Sequence, residues 1–314
     1  MDNGRWKNIF NIRCCFHCPL SIVPIVHRPL KMKIIECPRD AMQGLHDFIP
    51  TGDKVRYINQ LLNVGFDTID FGSFVSPKAI PQMRDTTEVL AQLDLSRTRT
   101  KLLAIVANER GASEAVAFPE ISYLGYPFSI SETFQLRNTN ATITESLERV
   151  KHIQQLCVNN NKELVLYISM GFGNPYGDPW SADVVLDWVE KLSRLGIRIF
   201  SLSDTIGVSN PQSISYLFSN VVRAYPNLEF GAHLHTPPHN WREKIDAAYK
   251  NGCNRFDAAM RGFGGCPMAK DDLTGNMATE NIVSYFSEIN METGLDFRQF
   301  IQALSLTNEI FPKS

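Results

Sequence analysis

The sequence predicts an α/β fold, a single closed (β/α)8 TIM barrel, on three observations. Eight short β-rich runs alternate with longer stretches of helical periodicity. The alternation continues from Lys33 without a long interruption, and eight units in a 314-residue chain favour closure over an open sheet. No Gly-x-Gly-x-x-Gly follows the first strand, which weakens the doubly wound, dinucleotide-binding alternative.

Each element has a local reason. Residues 34–37 make the first strand, ended by Pro38. Residues 53–64 make a helix with Val55, Ile58, Leu61 and Leu62 on one stripe, stopped by Gly65. Strand two is 66–71 and helix two 81–93; strand three is 102–106, before a short helix at 111–118. Strand four is 123–129, and a helix at 144–159 opens near Thr142 and Thr144. Strand five is Glu163–Ser169, with a helix at 182–195 closed by Gly196. Strand six, 197–202, leads to a helix from Pro211, a residue suited to a first helical position. Strand seven is 229–233, with a helix at 241–251 closed by Gly252. Strand eight, Arg255–Ala258, runs into a Gly-rich loop and a helix from about Thr279. A further amphipathic helix near 297–304 caps the barrel or extends a subunit contact.

Composition narrows the function. With 44% hydrophobic and 20% charged residues, the chain has a sizeable core. A net charge of −2 argues against a nucleic-acid partner, and no apolar run reaches bilayer length, so no membrane association is expected. Seven scattered cysteines argue against a disulfide framework and for a reducing compartment; the expectation is cytoplasmic. Residues 1–31 differ. They are basic after Asp2 and carry Cys14, Cys15, His17 and Cys18, but lack the second pair a zinc site needs. Pro19, Pro24 and Pro29 spoil an amphipathic targeting helix. The expected organisation is a dispensable 1–31 leader and a 32–314 barrel domain.

In such a barrel the site lies at the carboxyl ends of the strands. Unexpected polar residues collect there: Arg39-Asp40 and Gln43 after strand one, Asp70 on strand two, Ser203-Asp204-Thr205 after strand six, and Cys266 to Asn276 after strand eight. His233 and His235 stand two apart at the end of strand seven, so they share a face. Singly, each has a plain alternative: a local Arg39-Asp40 salt bridge, Asp70 paired with an arginine, Asp204 as a helix cap, ordinary buried histidines. Together they crowd charge at one end of the barrel, and a divalent cation gives the crowding a purpose. Asp40, His233 and His235 offer one oxygen and two nitrogens, with positions left for substrate. Gly262, Gly264, Gly265 and Gly275 mark the last loop as a lid, with Cys266 near its tip. Cys266 reads as a proton donor or acceptor; as a nucleophile it lacks an identifiable base.

These residues resemble those of the hydroxymethylglutaryl-CoA lyases, within the metal-dependent lyase and synthase group built on TIM barrels. The matching segments are Arg39-Asp40 with Gln43, Ser73-Phe74-Val75-Ser76-Pro77-Lys78 with Pro81-Gln82-Met83, Asp204-Thr205-Ile206-Gly207, His233-Leu234-His235, Gly264-Gly265-Cys266-Pro267, and Gly275-Asn276 with Ala278-Thr279-Glu280. The resemblance implies cleavage of 3-hydroxy-3-methylglutaryl-CoA to acetoacetate and acetyl-CoA. It implies Mg2+ or Mn2+ on Asp40, His233, His235 and Asn276, with His233 or Asp40 as base, Arg39 stabilising the oxyanion and Cys266 protonating the enolate. Asp204 and Asp70 would position substrate or support the base. Gln43, with Arg39, would bind substrate, and Arg137 and Asn138 would lie near the CoA arm. A homodimer is expected.

The chain departs from the family pattern in four places: Ala41-Met42 after Arg-Asp, Asp70 for a common Glu, no cysteine before Pro175, and Thr236-Pro237-Pro238 after the histidines. These leave a different 3-hydroxyacyl-CoA open as substrate. A condensing synthase of the isopropylmalate or homocitrate type, or an aldolase, shares the metal and Arg-Asp pair but lacks the cysteine loop. A non-catalytic metal-binding barrel is disfavoured because structural sites are usually closed.

Overall fold

Every strand pairs in parallel with the next in chain order, and β8 returns to β1 to close the barrel. The computed structural model describes residues 32–265 and 274–311. The first half runs β1 (Lys33–Glu36), α1 (Pro38–Gln43), α2 (Thr51–Val64), β2 (Thr68–Ser73), α3 (Thr86–Leu90), β3 (Lys101–Ile105), α4 (Glu109–Val116), β4 (Ile121–Ser129), α5 (Glu132–Thr139) and α6 (Ile143–Asn159). The second half runs β5 (Glu163–Ser169), α7 (Ala182–Ser193), β6 (Ile199–Asp204), α8 (Pro211–Ala224), β7 (Glu229–Leu234), α9 (Trp241–Lys250), β8 (Arg255–Ala258), α10 (Thr279–Glu288) and α11 (Phe297–Ile310). The expected leader, residues 1–31, lies outside the described residues.

Alternating side chains split the core in two. One set packs the strands against the outer helices; the other, Leu103, Ile105, Tyr123, Val165, Tyr167 and Ile199, fills the barrel. A Cβ at Gly125 would lie 2.5 Å from Ile105 Cδ1 and 3.0 Å from Tyr167 Cε2, so this position must be bare for the interior layers to interlock.

Several boundaries move for physical reasons. Phe66 and Ile197, read as strand starts, are buried in the approach loops, and their ladders begin two residues later. That shift puts Asp204 on β6 itself. The expected helix at 81–93 is a 3-10 turn, Pro81–Met83, followed by α3. Two helices were not expected. α1 is too short to show a period, although Pro38 occupies its first position. α5 has only a local signal: the Ser131 hydroxyl caps it by accepting from Phe134 N at 3.2 Å. The capping expectation for α6 holds, because Thr142 and Glu145 form a reciprocal capping box.

Glu36 ties the closing seam together. Fully buried on β1, it accepts from Met260 N at 2.9 Å and Thr279 Oγ1 at 2.6 Å. Burial pushes its carboxyl up to about 8, against the pull of those two donors. The folded state therefore binds the proton more tightly than the unfolded chain, and stability falls as pH rises from the ordinary carboxylate range toward 8. Each pH unit in that window costs up to about 1.4 kcal/mol. Glu36→Gln keeps the donors and acceptors but not the titration. Its urea midpoint is expected to vary less between pH 5 and 8 than that of the unchanged protein; parallel curves would refute this.

Candidate active site

The carboxyl ends of the strands surround a cavity of about 420 Å3. Pro38 at the first position turns the chain after β1 straight into α1, so Arg39 and Asp40 sit on a single helical turn at the rim. Asp40 and Gln43 are three apart on that turn and share a face, and Gln43 Nε2 donates to Asp40 Oδ1. Asp40 Oδ1 also faces Arg39 Nη1 at 3.3 Å. Asp40 Oδ2 turns inward, 3.5 Å from His233 Nε2.

The two histidines converge as their spacing predicts. Their Nε2 atoms lie 3.3 Å apart, and ligand atoms of Asp40, His233 and His235 all fall within 4.8 Å of one another. His235 Nδ1 is 2.9 Å from the Thr274 carbonyl, which can only accept, so that nitrogen carries the proton. His233 Nδ1 faces Asp257 Oδ2 at 3.4 Å, which places its proton there too. Both Nε2 atoms then present lone pairs to the same point beside a carboxylate oxygen. Two lone pairs at that distance repel unless a cation stands between them, so the residues present fit a divalent metal.

Electrostatics agree. Burial pushes the Asp40 carboxyl up, but Arg39 and the two imidazoles outweigh it and hold it below its ordinary value. Burial pushes His233 down, yet Asp257 and Asp40 hold it above its ordinary value; burial and His233 push His235 down. Arg39 is raised despite burial, because Asp70 and Asp40 flank it. Asp70 takes Arg39 in a two-pronged pair, with Nε donating to Oδ1 at 3.2 Å and Nη2 donating to Oδ2 at 2.5 Å. Burial nevertheless pushes Asp70 up to about 6.

The expected residues divide into two groups. Arg39, Asp40, Gln43, Asn138, His233 and His235 line the cavity. Asp70 and Asp204 are fully buried behind it, Asp70 against Arg39 and Asp204 in a knot at the end of β6. Asn276 is drawn beside His235 by a β-bridge, and its Nδ2 donates to the Phe263 carbonyl at 2.9 Å. Cys266 lies outside the described residues, as does the rest of 266–273; the flanks of the expected lid are described. There Gly264, at φ +94, lies against α1: an added Cβ would meet the Asp40 carbonyl at 2.5 Å.

Sequence reasoning missed Lys244. From α9 this buried ammonium donates to Asp204 Oδ2 at 3.0 Å and to the His235 carbonyl at 2.9 Å. Asp204 Oδ2 also accepts from Ser209 N at 3.1 Å. A lysine in the first turns of an amphipathic helix ordinarily reads as surface, and only its partners across the barrel reveal it. Lys244→Met strands a buried carboxylate and is expected to cost about 3–5 kcal/mol in chemical denaturation; a loss below about 1 kcal/mol would show the pair to be dispensable.

Comparison with known proteins places this arrangement. A profile described as HMGL-like matches residues 31–307. The chain belongs to the HMGL-like family. It is 32% identical to the hydroxymethylglutaryl-CoA lyase YngG of Bacillus subtilis, over 90% of this chain and 93% of that protein. It is 33% identical to a 3-hydroxy-3-isohexenylglutaryl-CoA/hydroxymethylglutaryl-CoA lyase of Pseudomonas aeruginosa, over 88% and 91%. An HMG-CoA lyase from Acinetobacter baumannii, solved with coenzyme A and 3-methylmalate, superposes with a TM-score of 0.82 at 32% identity, covering 89% of this chain and 90% of that one. The closed barrel is thus the family's fold, and the metal-fitting triad stands at its expected end.

Proposed function

We propose that this chain cleaves 3-hydroxy-3-methylglutaryl-CoA into acetyl-CoA and acetoacetate. The observation that carries the reading is the meeting of Asp40, His233 and His235 in one cavity with Arg39, inside a family whose relatives are carbon–carbon lyases. Asp40, His233, His235 and Asn276 would hold Mg2+ or Mn2+, and the ion would polarise the tertiary hydroxyl and the adjacent carboxylate of the substrate.

The protein's own groups supply the rest. His233 or Asp40 takes the hydroxyl proton, and the C3–O electrons become the acetoacetate carbonyl. The C2–C3 bond breaks, leaving its pair on C2 as the acetyl-CoA enolate. Arg39, fixed by Asp70, stabilises the negative oxygen, and Cys266 returns a proton to C2. Gln43 holds Asp40, and Asn138 with Arg137 borders the route to the thioester arm. Asp70 and Asp204 act by positioning, since neither lines the cavity.

The test is acetyl-CoA release from 3-hydroxy-3-methylglutaryl-CoA with Mg2+ or Mn2+, with and without chelator. Chelator-sensitive release is expected, and none under any condition would sink the reading. A 3-isohexenyl analogue belongs in the same assay, because Val75, Ala79, Ile80 and Ile105 give the cavity an apolar wall. The reading extends to a homodimer in the cytoplasm, to be checked by light scattering and fractionation. No helix among the described residues is long and apolar enough to cross a membrane.

A further inference from the structure

A run of alternating acidic and basic groups starts at the candidate metal centre, passes through the buried barrel interior and ends at partly exposed Glu229 and Lys33 on the opposite face. His233 Nδ1 faces Asp257 Oδ2 at 3.4 Å, and Asp257 Oδ1 lies 3.8 Å from Arg255 Nε. Arg255 Nη1 meets Glu229 Oε1 at 3.3 Å, and Glu229 Oε2 meets Lys33 Nζ at 2.6 Å. Above His233 the run continues through Asp40 and Arg39 to Asp70. The pleat explains how a chain can build this. Glu229, Gly231 and His233 are alternate residues of β7, Arg255 and Asp257 are alternate residues of β8, and the register pairs Gly231 with Arg255 and His233 with Asp257. Gly231 is bare where the arginine crosses it: a Cβ there would stand 2.9 Å from Arg255 Cδ.

A fully buried arginine is costly beside the apolar layer of Leu103, Ile105, Val165 and Ile199, and the carboxylates of Asp257 and Glu229 offset that cost. Its outer partner, Glu229, is a residue at the barrel's far rim; its inner partner, Asp257, is the carboxylate beside His233 Nδ1. We propose that Arg255 is a positioning residue: it anchors Asp257, which with Ser201 Oγ on its Oδ2 at 2.9 Å holds the His233 ring so that Nε2 points at Asp40 and His235. The edge of Tyr167, at 88° to the imidazole and 5.7 Å between centroids, restrains the same ring sideways. Sequence reasoning passed over this arginine because it was read only as the first residue of a strand.

The inference rests on the metal-centre reading and deepens it. Mn2+ titration of the metal-free protein, followed by electron paramagnetic resonance, tests both without substrate. The unchanged protein should bind Mn2+; no binding would remove the metal centre and this inference together. Arg255→Met should then weaken Mn2+ binding about tenfold or more, the loss usual for groups that orient a metal-ligating histidine, while Arg255→Lys recovers most of it. In turnover, Arg255→Met should lower kcat with little change in KM. Asp257→Asn gives a second measure, with a loss as large. Binding by the unchanged protein together with unaltered affinity in folded Arg255→Met, or in Asp257→Asn if the first variant does not fold, overturns the role of Arg255 and leaves the metal centre standing.

Discussion

Asp40→Ala is expected to abolish turnover, by a factor of about 10^3 or more, and to remove tight Mn2+ binding. The size follows from how many tasks converge on one carboxylate. Asp40 supplies the only oxygen of the triad, faces His233 at 3.5 Å, and accepts from both Arg39 and Gln43. Without it the two imidazoles offer a divalent ion two nitrogens and no charge compensation, which favours softer ions and weaker binding. The fold should survive, because Arg39 keeps its stronger, two-pronged partner in Asp70. A thermal melt close to that of the unchanged protein, with metal affinity and kcat both collapsed, is the expected pattern. Retained activity in the presence of chelator would show that the triad is not the reactive centre.

Much of this site was legible because strands impose a period of two. His233 and His235 had to share a face, and Asp40 had to stand at the mouth of a closed barrel once eight units were counted. What stayed hidden depends on neighbours distant in sequence. Asp70 and Asp204 carried the expectation of a site role, and the ladder positions explain why neither lines the cavity: β2 and β6 begin two residues later than their apolar runs suggest, so both carboxylates end inside the wall. Lys244 and Arg255 gave no signal at all. A buried cation is recognisable only by the carboxylate it meets: Asp204 comes to Lys244 from β6, Glu229 comes to Arg255 from β7, and Asp257, two residues on along β8, shares a face with Arg255 inside the barrel. The short helix α1 was missed for a different reason: six residues hold too few turns to show periodicity, yet they aim the Arg39-Asp40 pair.

The same buried pairing decides what loss of Arg39 should do. Arg39→Met removes a guanidinium that both lines the cavity and neutralises two carboxylates. A single preorganised donor to a developing oxyanion is worth about 10^2–10^3 in kcat. Arg39 also holds the Asp40 carboxyl low, so the expected loss reaches the upper end of that range or beyond. The competing outcome is simple unfolding, since a stranded buried carboxylate costs about 3–5 kcal/mol. Asp70 decides between them. Burial already pushes it to about 6 with Arg39 beside it, so without Arg39 its value rises further and it takes up a proton near neutral pH. The neutral acid avoids most of the penalty, and the variant should fold with only a modest loss of stability at pH 6 that grows as pH rises. Arg39→Lys keeps the charge but loses the fork, and should recover stability without recovering kcat. Urea curves at pH 6 and 8, read beside steady-state rates, separate the two effects. A variant that unfolds equally at both pH values would mean that Arg39 holds the barrel together rather than its chemistry.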